Sequence, residues 1–535
     1  MNIVKISKDI KEGHVTLGIE LGSTQIKSVL ITKDFKVIAS GTYIWENDFI
    51  NGIWTYSLKN VWLGIRESYK QLVANVYSRF HIGVKKIDNI GVSAMMHGYL
   101  AFDKKGKQLV PFRTWRNNIT NEAASKLTKL FSFNVPLRWS IAHLYRSILN
   151  KEKHVSKVDF ITTLAGYVTW QLSGRKVIGV GDASGMFPIG KDAKFDKKDL
   201  DKFQNLKDVK KYPWKIKDIL PEVLIAGQRA GNLTSEGAKR LDPSGDLQSG
   251  SIIAPPEGDA GTGMVSTNSV RVRTGNISIG TSAFSMIVMD KPLKKVHRDI
   301  DVVATPDGNP CAMVHTSNCS SDIDAWARIF KSFAGRIGEN VSDNNIYENL
   351  FLEATKADAD AGGLINYDYL AGEYITGVQT GRPLFFRTPN SHFTLGNFVM
   401  AQLYSAFAPL KIGMDVLFDQ EDLKTDVMIA QGGLFKTPVI GQQVLSNALN
   451  VPISIMENAS AGGPWGMAVL AQYVGDGAPE SLADYLDEKV FANPETKTLD
   501  PEPAGVKGYE DFIKEYKKGL EAERKAGLVK DYKRL

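Results

Sequence analysis

A carboxylate and a hydroxyl-rich corner share one short stretch near the start of the chain. VTLGIELGSTQIKSVLIT, residues 15–32, holds Glu20, Gly22, Ser23, Thr24 and Lys27. The apolar flanks have the length and β-branched content of strands, so Gly22-Ser23-Thr24 reads as a hairpin turn. Glycine and small hydroxyls at such a turn leave backbone N–H groups open to an anion, phosphate among them; the plain alternative is an ordinary hairpin. A second copy favours the phosphate reading. ISIGTSAFSMIV from Ile277 aligns without a gap on IELGSTQIKSVL from Ile19, setting Gly280, Thr281 and Ser282 against Gly22, Ser23 and Thr24. Two such turns, one in each half, predict two related domains arranged around a nucleotide's phosphates.

Asp259 stands in PEGDAGTGM, between glycines. Alone it would be a helix cap; beside two phosphate hairpins it becomes a candidate general base, because phosphoryl transfer needs a carboxylate to take the proton of the attacking hydroxyl. Gly432 and Gly433 lie between an apolar strand and a helical pattern, where glycine permits close approach of a flat ligand such as adenine; a simple turn is the alternative. No G-x-x-x-x-G-K-[ST] is present, and GVGDASG from Gly179 misses the G-x-G-x-x-G spacing, which argues against P-loop and Rossmann enzymes.

The elements that must position these residues follow from periodicity. After the first hairpin a strand is expected from Phe35 and an amphipathic helix from Val61. IDNIGVSAMMHGYLAFD from Ile87 reads as a strand ending at Met96-His97-Gly98, before the loop VPFRTWRNNIT. Helical patterns dominate residues 121–174. PPEGDAGTGMVS from Pro255 reads as a glycine-rich closure of the first half, and ADAGGLINYDYLAGEY from Ala359 as a loop with a short apolar core. A buried helix is expected from Leu395 and an amphipathic, docked helix from Tyr509. The domain expectation is 1–268, 269–480 and a helical tail 481–535.

Bulk properties narrow the class. The 535 residues are 43% hydrophobic and 23% charged, which excludes a disordered or fibrous chain. A net charge of +6 is small for this length, and the lysine runs alternate with aspartate, which argues against nucleic acid. The two cysteines form no C-x-x-C, and the start of the chain has no apolar leader, so a reducing, cytoplasmic setting without membrane contact is expected.

Taken in order, Glu20 to Thr24 with Lys27, Met96-His97-Gly98, Gly258-Asp259-Ala260, Gly280-Thr281-Ser282, GGLINYDYLAGE from Gly362, and Gly432-Gly433 with NALNVPI from Asn447 resemble the FGGY carbohydrate kinases over about residues 15–475. The resemblance implies an α/β fold of two ribonuclease-H-like domains of the actin and hexokinase superfamily, with ATP and Mg²⁺ in an interdomain cleft and a sugar held by the first domain. It makes Asp259 the catalytic base and Met96 and His97 sugar-site residues. Gly22, Ser23, Thr24 and Lys27 become the first phosphate site, Gly280, Thr281 and Ser282 the second, and Gly432 and Gly433 the adenosine site. Glu20, with Asp259, is the carboxylate turned toward Mg²⁺, although the family usually has aspartate at position 20. Glutamate reaches about 1.5 Å farther, which a shifted water could absorb; its alternative role is only to fix the hairpin.

The sugar wall departs from the family too. Many xylulokinase-like members read Trp-Asn-Asp-x-Arg after Met-His-Gly, whereas this chain has Trp115, Arg116, Asn117 and Asn118, and Met95 replaces a common glutamine. Trp115, Asn117 and Asn118 are therefore expected at the sugar, with L-ribulose favoured over D-xylulose. The expected partner is a small sugar, a homodimer is allowed, and a sugar sensor of the same fold without turnover is the non-enzyme alternative.

Overall fold

The structure, a computed structural model, describes residues 3–435, 437, 439–456, 462–492 and 496–530. The chain divides into two units, each built on a mixed sheet, and neither is a single run of sequence. The first comprises residues 1–270, 301–311 and 459–493; the second comprises 271–300, 312–458 and 494–535. The Gly462–Gly475 helix belongs to the first unit and the C-terminal helix to the second. Of the expected tail, residues 493–495 and 531–535 lie outside the described residues.

In the first unit, β1 (Val15–Leu21) runs antiparallel to β2 (Gln25–Thr32), which pairs with β3 (Val37–Ile44). On its other edge β1 pairs in parallel with β4 (Asn89–Ala94), which carries the short strands β5 (Ile252–Ile253) and β6 (Glu257–Gly258). Leu17, Ile19 and Leu21 of β1 and Ile90 and Val92 of β4 are fully buried. A central strand with both faces covered needs the near-continuous apolar run that these segments show. The Leu58–Phe80 helix packs on β2 and β3; the Ser57 hydroxyl caps it by accepting the Asn60 N–H at 3.1 Å, and His81 ends it in the left-handed conformation. The Gly462–Gly475 helix covers the other face against β1 and β4, with Ala468 packed on Val29 and Ile31 and the Trp465 indole donating to the Phe35 carbonyl at 2.8 Å.

The second unit repeats the motif. β7 (Thr274–Ile279) pairs antiparallel with β8 (Ala283–Val288) and parallel with β10 (Val427–Gly432), as β1 does with β2 and β4. β9 (Pro310–Thr316) flanks β8, while β11 (Ile453–Met456) and β12 (Thr496–Leu499) extend the β10 side. The Leu395–Asp415 helix is buried along most of its length, and the C-terminal helix, Pro503–Ala526, buries Tyr509, Phe512, Tyr516 and Leu520 at helical spacing.

Two segments gain definition in the structure. In the glycine-rich closure at residues 255–266, β6 leads directly into a helix, Asp259–Ser266, with Asp259 at its start as the capping reading has it; Met264 and Val265 are fully buried, and that burial overrides the glycine content. GGLINYDYLAGEY contains a buried strand, Leu364–Tyr367.

Candidate active site

The C-terminal ends of β1, β4 and β6 converge, and each delivers a functional group. Glu20 lies at the end of β1, in register with Lys27 on β2 and Ser93 on β4. Its carboxylate has no hydrogen-bond partner among the described residues and rests against Gly463 in the first turn of the Gly462–Gly475 helix, where a Cβ would overlap it. Burial, reinforced by the charge of Asp259 and opposed by Lys27, pushes the Glu20 pKa up to about 7.

Asp259 opens its helix just after β6 and is exposed. Its Oδ1 accepts the Met96 N–H and its own helix's Ala260 N–H, both at 3.1 Å, so one carboxylate oxygen is fixed and the other is available. Crowding by protein raises its pKa, and the hydrogen bonds with the Arg138 charge oppose that rise. Met96 is therefore tied to Asp259 through its backbone. His97 follows in a left-handed conformation, φ 70°, a strained choice for a non-glycine residue. Its ring is buried with Nδ1 3.4 Å from the Gly185 carbonyl, and burial followed by the Arg138 charge holds it well below the ordinary histidine pKa, hence neutral. Arg138 in turn accepts the Gly98 N–H at its carbonyl and is ion-paired to Asp301.

The turn after β1 is anchored by its carbonyls. The Trp45 indole donates to the Gly22 carbonyl at 2.8 Å and the Tyr56 hydroxyl to the Ser23 carbonyl at 2.6 Å, the two rings being stacked 4.2 Å apart. The N–H groups and hydroxyls of Ser23 and Thr24 have no protein acceptor among the described residues, which is the condition for an anion nest. In the second unit Gly280, Thr281 and Ser282 form the matching turn, with the Gly280 carbonyl taken by the Ser320 N–H and hydroxyl. Gly432 ends β10 at φ 135°, pressed so closely on the Ile279 carbonyl that no side chain fits, whereas Gly433 faces open space.

The expected sugar wall divides. Trp115 and Asn118 are exposed, but Asn117 is 2% exposed and its amide is occupied: Oδ1 accepts the Trp54 N–H at 2.9 Å, and Nδ2 donates to the carbonyls of Trp54 and Thr114. Asn117 braces its loop on the Asp48–Thr55 hairpin and has no amide group left for a sugar.

Sequence reasoning did not select Glu257 and Asp182. Both are buried, and among the described residues each has one oxygen without a partner, Asp182 Oδ1 and Glu257 Oε1; burial with the charge of Asp259 raises Asp182 to about 7, and burial with the charge of Asp182 raises Glu257 well above the ordinary value. Glu257, two residues before Asp259, was visible in PEGD; Asp182 comes from a distant segment with no signal of its own.

Residues 15–243 match the N-terminal domain, and residues 275–474 the C-terminal domain, of the FGGY family of carbohydrate kinases. The chain belongs to this family. A xylulose kinase of Haemophilus influenzae is 23% identical over 453 residues, covering 82% of this chain and 85% of the relative. Among solved structures, a xylulose kinase from Rhodospirillum rubrum superposes with TM-score 0.77 at 16% identity over 96% of this chain and 99% of the other. A gluconate kinase from Lactobacillus acidophilus gives 0.74 at 19% identity over 95% and 98%. Kinases of different sugars match this FGGY chain almost equally well, so the fold leaves the sugar undetermined. The two-domain α/β architecture expected from the sequence is the one found.

Proposed function

We propose that this FGGY kinase transfers the γ-phosphoryl group of ATP to the terminal hydroxyl of a ketopentose. The observation that carries the reading is the placement of Asp259: one oxygen fixed by two N–H groups, the other available. Asp259 accepts the hydroxyl proton as the oxygen bonds to the γ-phosphorus and the bond to the β–γ bridging oxygen breaks, ADP keeping that electron pair. The open N–H groups and hydroxyls of Ser23 and Thr24, with Lys27, receive phosphate oxygens, and Gly280, Thr281 and Ser282 supply a second such turn. Gly433, beside open space, suits the adenosine.

Mg²⁺ fits the residues present. Glu20 offers a carboxylate without a protein partner, interacting with that of Asp259, and two carboxylates with phosphate oxygens and water are the usual donor set of this ion. When bound, Mg²⁺ would neutralise phosphate charge.

The occupied Asn117 amide removes the main support for L-ribulose, so xylulose, the sugar in the relatives' names, becomes the first acceptor to test, as its D form. The decisive experiment couples ADP release to a panel of pentuloses. ADP formed with D-xylulose and not without sugar is the expected result. A preference for L-ribulose would reassign the acceptor; tight sugar binding without ADP would replace the kinase by a sensor.

A further inference from the structure

At the end of the first sheet remote from Glu20, where β1, β4 and β5 begin and β2 ends, the first unit encloses a recess of about 440 Å³. That volume lies within the range of small-molecule sites. The wall is polar and its charges are unevenly satisfied. Asp88 lies 3.0 Å and Glu12 3.5 Å from the two nitrogens of His14, and Asp476 accepts both the Gln472 amide and the Tyr485 hydroxyl at 2.7 Å. All three acids of the wall therefore have protein partners. Lys33 and Lys86 also line the recess, and neither has an acidic partner among the described residues.

The floor adds neutral hydrogen-bonding groups. Asn89 is 3% exposed and donates Nδ2 to Thr16 Oγ1 at 3.0 Å, leaving its carbonyl oxygen without a protein donor among the described residues. Gln248 presents an exposed amide at the rim. Two ammonium groups without an acidic partner among the described residues, in one recess with the Asn89 and Gln248 amides, match a ligand with one strongly anionic group and several alcohols.

We propose that this recess binds a phosphorylated polyol, with its phosphate on Lys33 and Lys86 and its hydroxyls on Asn89 and Gln248. Inorganic phosphate shares the anionic part of this chemistry and D-ribose the polyol part. The test is calorimetric titration of the full chain with D-ribose 5-phosphate, inorganic phosphate and D-ribose. The Lys33→Ala/Lys86→Ala double variant and Gln248→Ala are titrated in parallel.

Ribose 5-phosphate should bind about tenfold or more tightly than either fragment. The double variant should lose that margin while keeping its sugar-dependent ADP formation, and Gln248→Ala should weaken ribose 5-phosphate but leave phosphate unchanged. Equal binding of inorganic phosphate, undiminished binding by the double variant, or no saturable binding would each overturn the proposal. Absence of ADP formation in the wild-type chain would count against the kinase reading alone, because the titration does not depend on turnover.

Discussion

A carboxylate that removes a proton from an alcohol must be ionised at working pH, basic enough to hold the proton, and fixed in direction. Asp259 meets the last condition through Met96 and Ala260, whose N–H groups converge on one oxygen. An asparagine there can keep both bonds with its own carbonyl, so Asp259→Asn should leave folding and sugar affinity nearly unchanged. Its kcat should fall about 10²- to 10⁴-fold in the ADP-release assay. Glu20 has a different constraint: with its pKa pushed up to about 7, it carries a proton in much of the population at neutral pH. Mg²⁺-dependent turnover should therefore rise as pH increases through about 7, and Glu20→Gln should abolish that rise and weaken the Mg²⁺ dependence, measured as kcat against Mg²⁺ at several pH values. A Glu20→Gln variant with an unchanged pH and Mg²⁺ response would leave Glu20 a purely structural role. The residues proposed for the chemistry could be selected from sequence because they sit in short motifs at strand ends. Asn117 was misread because its partners come from Trp54 on a separate hairpin, and Asp182 was invisible because its neighbour Glu257 is distant in sequence.

At the scale of elements, the repeated hairpin was legible because strand period and turn chemistry are both local signals, and each copy indeed pairs antiparallel with the next strand and parallel with a later one. Of the Asp259–Ser266 helix only its start was legible, as a cap at Asp259, since its stability comes from buried Met264 and Val265 and not from propensity. Nor could sequence order show that the Gly462–Gly475 helix would return to the first unit. That helix runs from Glu20, at Gly463, to the far end of the sheet, where the Gln472 side chain accepts a 2.6 Å hydrogen bond from Thr16. A methyl group at position 463 would meet the carboxylate end of the Glu20 side chain first, so Gly463→Ala should cost little stability but turn the carboxylate aside. We expect a melting temperature near that of the wild type, with Mg²⁺-dependent kcat reduced about tenfold to a hundredfold, as displacements of this order produce in catalytic groups. Full activity in Gly463→Ala would show that the carboxylate position is not critical.

Over the whole molecule, each unit closes its core with chain from beyond the other's first segment. The second unit depends on the last described helix. Tyr516 of that helix donates to the Tyr369 hydroxyl at 2.8 Å and accepts the Tyr367 hydroxyl at its carbonyl at 2.6 Å, while Glu523 accepts the Arg382 N–H at 2.7 Å. Within the same unit Asp368 is 2% exposed, and neither carboxylate oxygen has a partner among the described residues. Burial raises its pKa well above the ordinary value, and the charges of Asp322, Glu373 and Glu523 raise it further. The folded chain therefore holds a proton on Asp368 that the unfolded chain releases near pH 3.8. Because the folded state binds more protons, stability falls as pH rises from that value through the raised pKa, at up to about 1.4 kcal/mol per pH unit for one proton. An amide is already neutral and similar in shape, so Asp368→Asn should remove this contribution. Melting temperatures of the full chain from about pH 6 to about pH 9 should decline less steeply in the variant than in the wild type. Parallel curves would mean that Asp368 is ionised in the folded protein and held by a partner other than the surrounding acids.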